Sequence, residues 1–123
     1  MKRDKDLVRE ILLQVEAYPH PMGWVELNVS GHSAEEIARH VELLDEAGFV
    51  EADDLTDTSG YDWRAKQLTY EGHEFLDTVR DGEVWRLTKE TAKETGVASI
   101  HAIFEIAKSC AKQKLISHGV HLP

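Results

Sequence analysis

SAEEIARHVELLDEAGFVEADDL, from Ser33 to Leu55, is the stretch whose reading decides the fold. It reads as a capped amphipathic helix, a glycine stop and then a strand. Ser33 and Glu36 fit the S-x-x-E capping box, in which each side chain satisfies an orphan backbone donor of the first turn. Ala34, Ile37, Ala38, Val41 and Leu44 recur at the three-and-four spacing of one buried helical face. Gly48 stands where a left-handed helix end is wanted, because it has no Cβ to clash there. Phe49 and Val50 reopen the chain as an extended apolar segment, which predicts a strand over 49–55.

Working outward toward the N-terminus, Asp4 or Asp6 can cap a first helix that runs to about Ala17, with Leu7, Val8, Ile11, Leu12 and Val15 as its apolar stripe. Pro19 disfavours helix at Tyr18, and His20-Pro21-Met22-Gly23 reads as a rigid turn. Trp24 to Val29 alternates, with Val25, Leu27 and Val29 on one side and Trp24, Glu26 and Asn28 on the other, which predicts a short half-buried strand.

Toward the C-terminus, Thr56-Asp57-Thr58-Ser59-Gly60 is loop-tip chemistry, and Asp62 to Leu68 returns as a second strand, making a hairpin. Thr69 can cap a helix from Tyr70 to about Arg80 that buries Phe75, Leu76 and Val79. Gly72, near its start, allows close packing against a neighbour. Two more helices follow. Glu83–Thr95 carries Val84, Trp85, Leu87 and Ala92 and stops at Gly96. Ser99 can cap a longer one with Ile100, Ile103, Phe104, Ala107, Cys110, Ala111 and Leu115 on one face, ended by Gly119. The fold class expected is α+β: a winged-helix-like domain over 1–82, then a helical extension over 83–123. The extension's apolar face packs on the chain's own core or, through Ile100, Ile103, Phe104, Ala107 and Ala111, on a second copy.

The chain has 123 residues, enough for one domain or one small domain with an appendage. No run approaches the roughly 20 apolar residues of a membrane span, and the charged start lacks a signal peptide's apolar region. A cytoplasmic protein without membrane contact is expected. Cys110 is the single cysteine, so no internal disulfide is possible. The net charge is −9, and it is uneven. Residues 1–82 hold eight Lys/Arg against nineteen acids, a net of −11, whereas 83–123 hold six against four, a net of +2.

Helix, short strand, helix, hairpin, helix is the order of a winged-helix domain. Ile37 through Val50 resembles the recognition helix and strand of bacterial winged-helix regulators, where a Leu-x-x-x-Gly-apolar-apolar ending is usual. Leu68-Thr69-Tyr70-Glu71-Gly72 resembles their Leu-Thr-x-x-Gly exit from the wing. The whole chain resembles a small bacterial and prophage family catalogued as domain of unknown function 2513. The residues that carry this are Arg3-Asp4-Lys5-Asp6-Leu7-Val8-Arg9, the Ile37-to-Gly48 helix, and Leu68 through Asp77. That resemblance implies a mobile-element setting and no particular activity. The chain departs from the regulators at one place. The slot for a helix before the recognition helix is filled by the β-patterned Trp24–Val29, and docking on DNA depends on that helix crossing the phosphate backbone.

Charge separates two readings of function. A recognition helix in the major groove ordinarily brings Arg, Lys, Asn or Gln. Here Glu35, Glu36, Glu42, Asp45 and Glu46 face Arg39 and His40, and Arg39 is spaced to be neutralised by Glu35 or Glu42. The wing sets Glu51, Asp53, Asp54, Asp57 and Asp62 against Arg64 and Lys66. Such elements repel DNA, whose affinity comes largely from phosphate contacts. The first reading is therefore a binding module that recognises a protein through Glu35, Arg39, Glu42, Asp45, Glu46 and the wing at Thr56–Trp63, with Trp63, Arg64 and Lys66 beside it. The second is a winged helix-turn-helix transcriptional regulator, with Arg64, Lys66 and the N-termini presented together by a dimer.

No catalytic, cofactor or metal site is expected. His118 and His121 form an incidental pair near the terminus. His40 and His73 lie on separate helices among acids, and His73-Glu74 lacks the second histidine of H-E-x-x-H. No G-x-S-x-G, P-loop or dinucleotide fingerprint occurs. Cys110, on an apolar helical face, reads as a buried inert thiol. Trp24, Trp63 and Trp85 read as core residues, with an exposed partner anchor as the alternative for Trp63.

Overall fold

Asp4, not Asp6, begins the first helix: its carboxylate accepts the Leu7 N–H at 3.0 Å. In the computed structural model, which describes residues 1–121, α1 then runs Lys5–Ala17 and buries Leu7, Val8, Ile11, Leu12 and Val15. Tyr18 ends it with φ −66° and ψ 119°, the extended conformation that a following proline imposes. The remaining elements are α2 (Ala34–Glu46), β1 (Val50–Asp54), β2 (Trp63–Leu68), α3 (Tyr70–Val79), α4 (Gly82–Thr95) and α5 (Ile100–Ser117). Among the described residues the fold is α+β, with five helices and one antiparallel hairpin, and α1, α2, the hairpin and α3 follow the winged-helix-like order. Two compact units divide it, one reaching Glu74 and the other starting at Phe75, within α3.

In the first unit, the expected strand at Trp24–Val29 does not form. Its side chains alternate as expected, with Val25 buried, Leu27 and Val29 half-buried, and Trp24, Glu26 and Asn28 exposed. Its backbone, however, touches the sheet through one bond, from Val25 N–H to the Ala65 carbonyl at 2.9 Å. At Asn28 a side chain stands in for a strand: the Gln14 amide donates to the Asn28 carbonyl at 2.8 Å and accepts its N–H at 3.1 Å. No helix lies between Ala17 and Ala34, so α2 has no helix immediately before it.

Half of the expected capping box forms on α2. Ser33 Oγ accepts the Glu36 N–H at 3.1 Å, but the Glu36 carboxylate turns to His32 Nδ1 instead of back to Ser33. Ile37, Ala38, Val41 and Leu44 are buried, whereas Ala34 is exposed because it opens the first turn. His40, expected among the acids, is buried instead at 0% exposure. Its Nδ1 donates to the Glu36 carbonyl at 2.8 Å, and its Nε2 accepts the Asp4 N–H at 2.9 Å, tying α2 to the start of α1.

The exit from α2 is a clasp. Gly48 takes φ +85°, and the Phe49 N–H turns back to the Leu44 carbonyl at 2.9 Å. Thr69 holds this corner: its N–H donates to the Phe49 carbonyl at 3.1 Å, and its hydroxyl donates to the Gly48 carbonyl at 2.5 Å and accepts the Gly72 N–H at 3.1 Å. Gly72 is buried against the same carbonyl, as the sequence anticipates. A Cβ there would sit 1.9 Å from the Phe49 oxygen.

The hairpin carries a bulge. Glu51 pairs with Gln67 but Ala52 pairs with Ala65, leaving Lys66 as the extra residue on β2. Strict alternation would bury every second side chain. The bulge lets Ala65 and Leu68 both face inward while Lys66 and Gln67 are exposed.

In the second unit, Asp81 caps α4 by accepting the Glu83 and Val84 N–H groups at 2.9 and 3.0 Å. It also pairs with Lys114 of α5 at 2.6 Å, and that bond, with those from the backbone, holds its carboxyl below the usual range. Val84, Trp85, Thr88 and Ala92 are buried on α4. Thr88 takes the place expected of Leu87 and satisfies its hydroxyl on the Val84 carbonyl at 2.7 Å. Phe75 and Phe104 stack with centroids 5.0 Å apart. On α5, Ser99 occupies the cap position without a side-chain cap bond. Ile100, Ile103, Phe104 and Ala107 are buried within the chain, Cys110 and Ala111 are half-buried, and Leu115 is exposed. The face thus fades toward the C-terminal end, and Cys110 is not the fully buried thiol expected.

Candidate functional site

The outer face of α2 meets the wing through one tyrosine. Arg39 pairs with Glu35 at 3.4 Å, one helical turn away, and its guanidinium lies 5.0 Å over the Tyr61 ring. The Tyr61 hydroxyl donates to Glu42 Oε1 at 2.5 Å. Burial first, and then the bond to Glu42 and its charge, push the Tyr61 hydroxyl up to about 12. It therefore remains a donor throughout the neutral range.

The wing's cations are each matched within the chain. Arg64 pairs with Asp62 at 3.2 Å and lies 5.9 Å over the Trp24 ring. Lys66, on the bulge, reaches Asp53 at 3.5 Å, and the Trp24 indole N–H donates to the same carboxylate at 2.9 Å. At the tip, Asp57 accepts the Ser59 N–H and hydroxyl, which holds its carboxyl below the usual range.

Of the residues singled out in the sequence, Arg39 and Glu42 meet at Tyr61, Glu35 pairs with Arg39, and Trp63 and Arg64 line one cleft with Trp24. Asp45 is set apart. It accepts the Ala52 N–H at 3.0 Å and so fastens the hairpin to α2. Glu46 is exposed at the helix end.

A cleft of about 510 Å³ lies beside Trp63 and Arg64, and none of Glu35, Arg39, Glu42, Asp45 and Glu46 is among its lining residues. Trp24, Tyr61 and Trp63 supply its aromatic walls, Ile37 and Ala38 an apolar floor, and Glu26, Asp62 and Arg64 its charged groups. Trp24, expected in the core, is 43% exposed. The signal for this was present: alternation places Trp24 opposite the buried Val25. Glu26 was legible only as an outward residue. Asp62 reads in the sequence as one of the wing acids, and Tyr61 falls within the wing without a role of its own.

Among the described residues, no group of three His, Cys, Asp or Glu side chains is placed to hold a metal ion. His40 is occupied in the core, His32 lies between Glu36 and Asp4, and His73 is exposed. No helix among them is long and apolar enough to cross a membrane.

The fold and this surface define an α+β domain of winged-helix-like order with an acid-rich face and an aromatic cleft. The chain belongs to the family described as hypothetical protein DUF2513, which it matches over residues 2–98. That span holds both motif segments and every residue of the cleft. The chain is also similar to an uncharacterised protein of Haemophilus influenzae (strain ATCC 51907 / DSM 11121 / KW20 / Rd), 35% identical over 117 residues, 94% of this chain and 99% of the relative. No solved structure matches it.

Proposed function

We propose that this protein is a non-enzymatic binding module that recognises another protein through the acidic face of α2 and the wing, as an accessory protein of a phage or prophage. One observation carries the reading. The cations on that face are paired to carboxylates of the same chain: Arg39 with Glu35, Arg64 with Asp62, and Lys66 with Asp53. A phosphate backbone approaching it meets neutralised cations and surplus acids, whereas a basic protein surface meets complementary charge. Such a face sets specificity and encounter rate, with affinity supplied by apolar anchors.

The second reading, a DNA-binding regulator, is favoured by the element order alone. A titration with mixed-sequence duplexes, and with candidate operators from around its own gene, separates the two at low and then physiological salt. The protein-binding reading expects no saturable binding at either salt. Tight binding with a steep salt slope would replace it with the regulator. The variant carrying Glu42→Lys and Glu46→Lys then reverses the contrast. It abolishes capture of a basic protein partner, but strengthens duplex binding if DNA is the ligand.

A further inference from the structure

Resting on that reading, we propose that the cleft between Trp24, Trp63 and the start of α2 is an anchoring pocket for one arginine or lysine side chain of the partner protein. Its walls are suited to a cation, because the face of an indole or phenol ring carries negative charge density. The chain already uses the cleft this way: its own Arg64 guanidinium lies over Trp24. Among the described residues that line it, Arg64 is the one cation, and Asp62 neutralises it at 3.2 Å. Glu26 adds a carboxylate to the lining.

A helix start ordinarily draws anions, and Ala34 brings the start of α2 to the cleft. Here Glu35 and Glu36 occupy that first turn, and Ser33 already takes the Glu36 N–H, so the pull on an anion is offset. The field of the surrounding unit acts in the same direction. Residues 1–74 hold seven Lys/Arg against seventeen acids, a net of −10, which concentrates cations at a low-dielectric groove. The cleft exceeds the volume of a single side chain, and Ile37 and Ala38 make its floor apolar. The anchor is therefore a basic residue flanked by an apolar one.

The test follows the indole N–H resonances of Trp24 and Trp63 in the isotopically labelled full chain during titration with blocked hexapeptides. One peptide carries a central Leu-Arg, a second replaces arginine with neutral citrulline, and a third with glutamate. The arginine peptide is expected to shift both indoles. The citrulline peptide should bind roughly tenfold more weakly, the loss of one desolvated cation–ring contact. Trp24→Ala, at an exposed position, should remove binding without unfolding the chain, and Arg64→Gln should strengthen it by removing a competing cation. Equal responses to arginine and glutamate, or no shift with the arginine peptide at millimolar concentration, overturn the pocket. Shifts confined to the Glu42 and Glu46 amides also overturn it, yet leave the acidic-face reading standing. Movement of the same indoles by duplex DNA but not by peptide overturns both.

Discussion

At one end of α2, Gly48 and Phe49 are clasped by Thr69 and Gly72, with no room for a methyl group at Gly72. Toward its other end, Ile37 and Ala38 floor an open cleft whose aromatic walls are half-buried or exposed. The clasp is made from the two most recognisable motifs in the chain, the Leu-x-x-x-Gly-Phe-Val ending and Leu-Thr-x-x-Gly. The first ends at Val50 and the second begins at Leu68, and they meet at two neighbouring carbonyls, those of Gly48 and Phe49. Both are therefore statements about packing. The cleft takes only its floor, Ile37 and Ala38, from a motif segment; its aromatic walls and charged groups, Trp24, Glu26, Tyr61, Asp62, Trp63 and Arg64, belong to none. What identifies the family thus fixes its scaffold, and recognition is set by side chains the scaffold leaves outside.

The sharpest way to break this contrast is Gly72→Ala. The added Cβ meets a backbone oxygen at 1.9 Å, so α3 must move away from the α2 exit. A loss of about 3 kcal/mol or more is expected, in the range of severe overpacking, and denaturant unfolding measures it. A loss under about 1 kcal/mol, the scale of ordinary substitutions, would show that the clasp gives easily and that the motif has another purpose.

Next in size is His40→Leu. The substitution fills similar space but leaves the Asp4 N–H without its acceptor, while the Glu36 carbonyl keeps its bond within the helix. An unsatisfied buried group costs about 1–3 kcal/mol. Chemical denaturation should register that loss, while peptide binding to the folded chain stays unchanged. Thr69→Val follows at about 1 kcal/mol, because it keeps the shape and removes one cap acceptor and one donor. Thr69→Ser should restore most of it, and failure to do so would assign the effect to the methyl group's packing instead.

Much of the fold was legible because it rests on local rules. The Asp4 cap, the stripe of α1, the glycine stop at Gly48 and the tight packing at Gly72 each need only neighbours a few residues away in sequence, or one steric requirement. The errors arose where a distant group intervened. Trp24–Val29 has a strand's alternation, but Gln14 supplies the bonds a neighbouring strand would have made. His40 reads as one more polar residue on an acidic helix until α1 brings the Asp4 N–H to it. Trp24 reads as a core residue by type, although its position in the alternation points outward. The pairing of Arg39 with Glu35 was legible from helical spacing; its stacking on Tyr61, twenty-two residues on, was not.

The smallest stability effect, and the most specific readout of the face, comes from Glu42→Gln. Burial and the Glu42 carboxylate together hold the Tyr61 hydroxyl at about 12. Removing the carboxylate's charge leaves the burial contribution, so the pKa should fall without reaching the usual value. The sign for stability follows from the direction of the shift. A tyrosine raised in the folded state contributes fully below its unfolded pKa of about 10 and loses that contribution as pH rises through about 12. Glu42→Gln narrows the window between the unfolded and folded values in which stability is lost, so it should leave neutral-pH stability nearly unchanged and move alkaline unfolding to higher pH. Phenolate absorbance reports it directly, read as the difference between each chain and its Tyr61→Phe counterpart. A Tyr70→Phe background is needed, because Glu74 raises the exposed Tyr70 as well. If the Tyr61 titration does not move, Glu42 does not hold the wing, and the joint between α2 and the wing rests on Asp45 and on Arg39 over the Tyr61 ring.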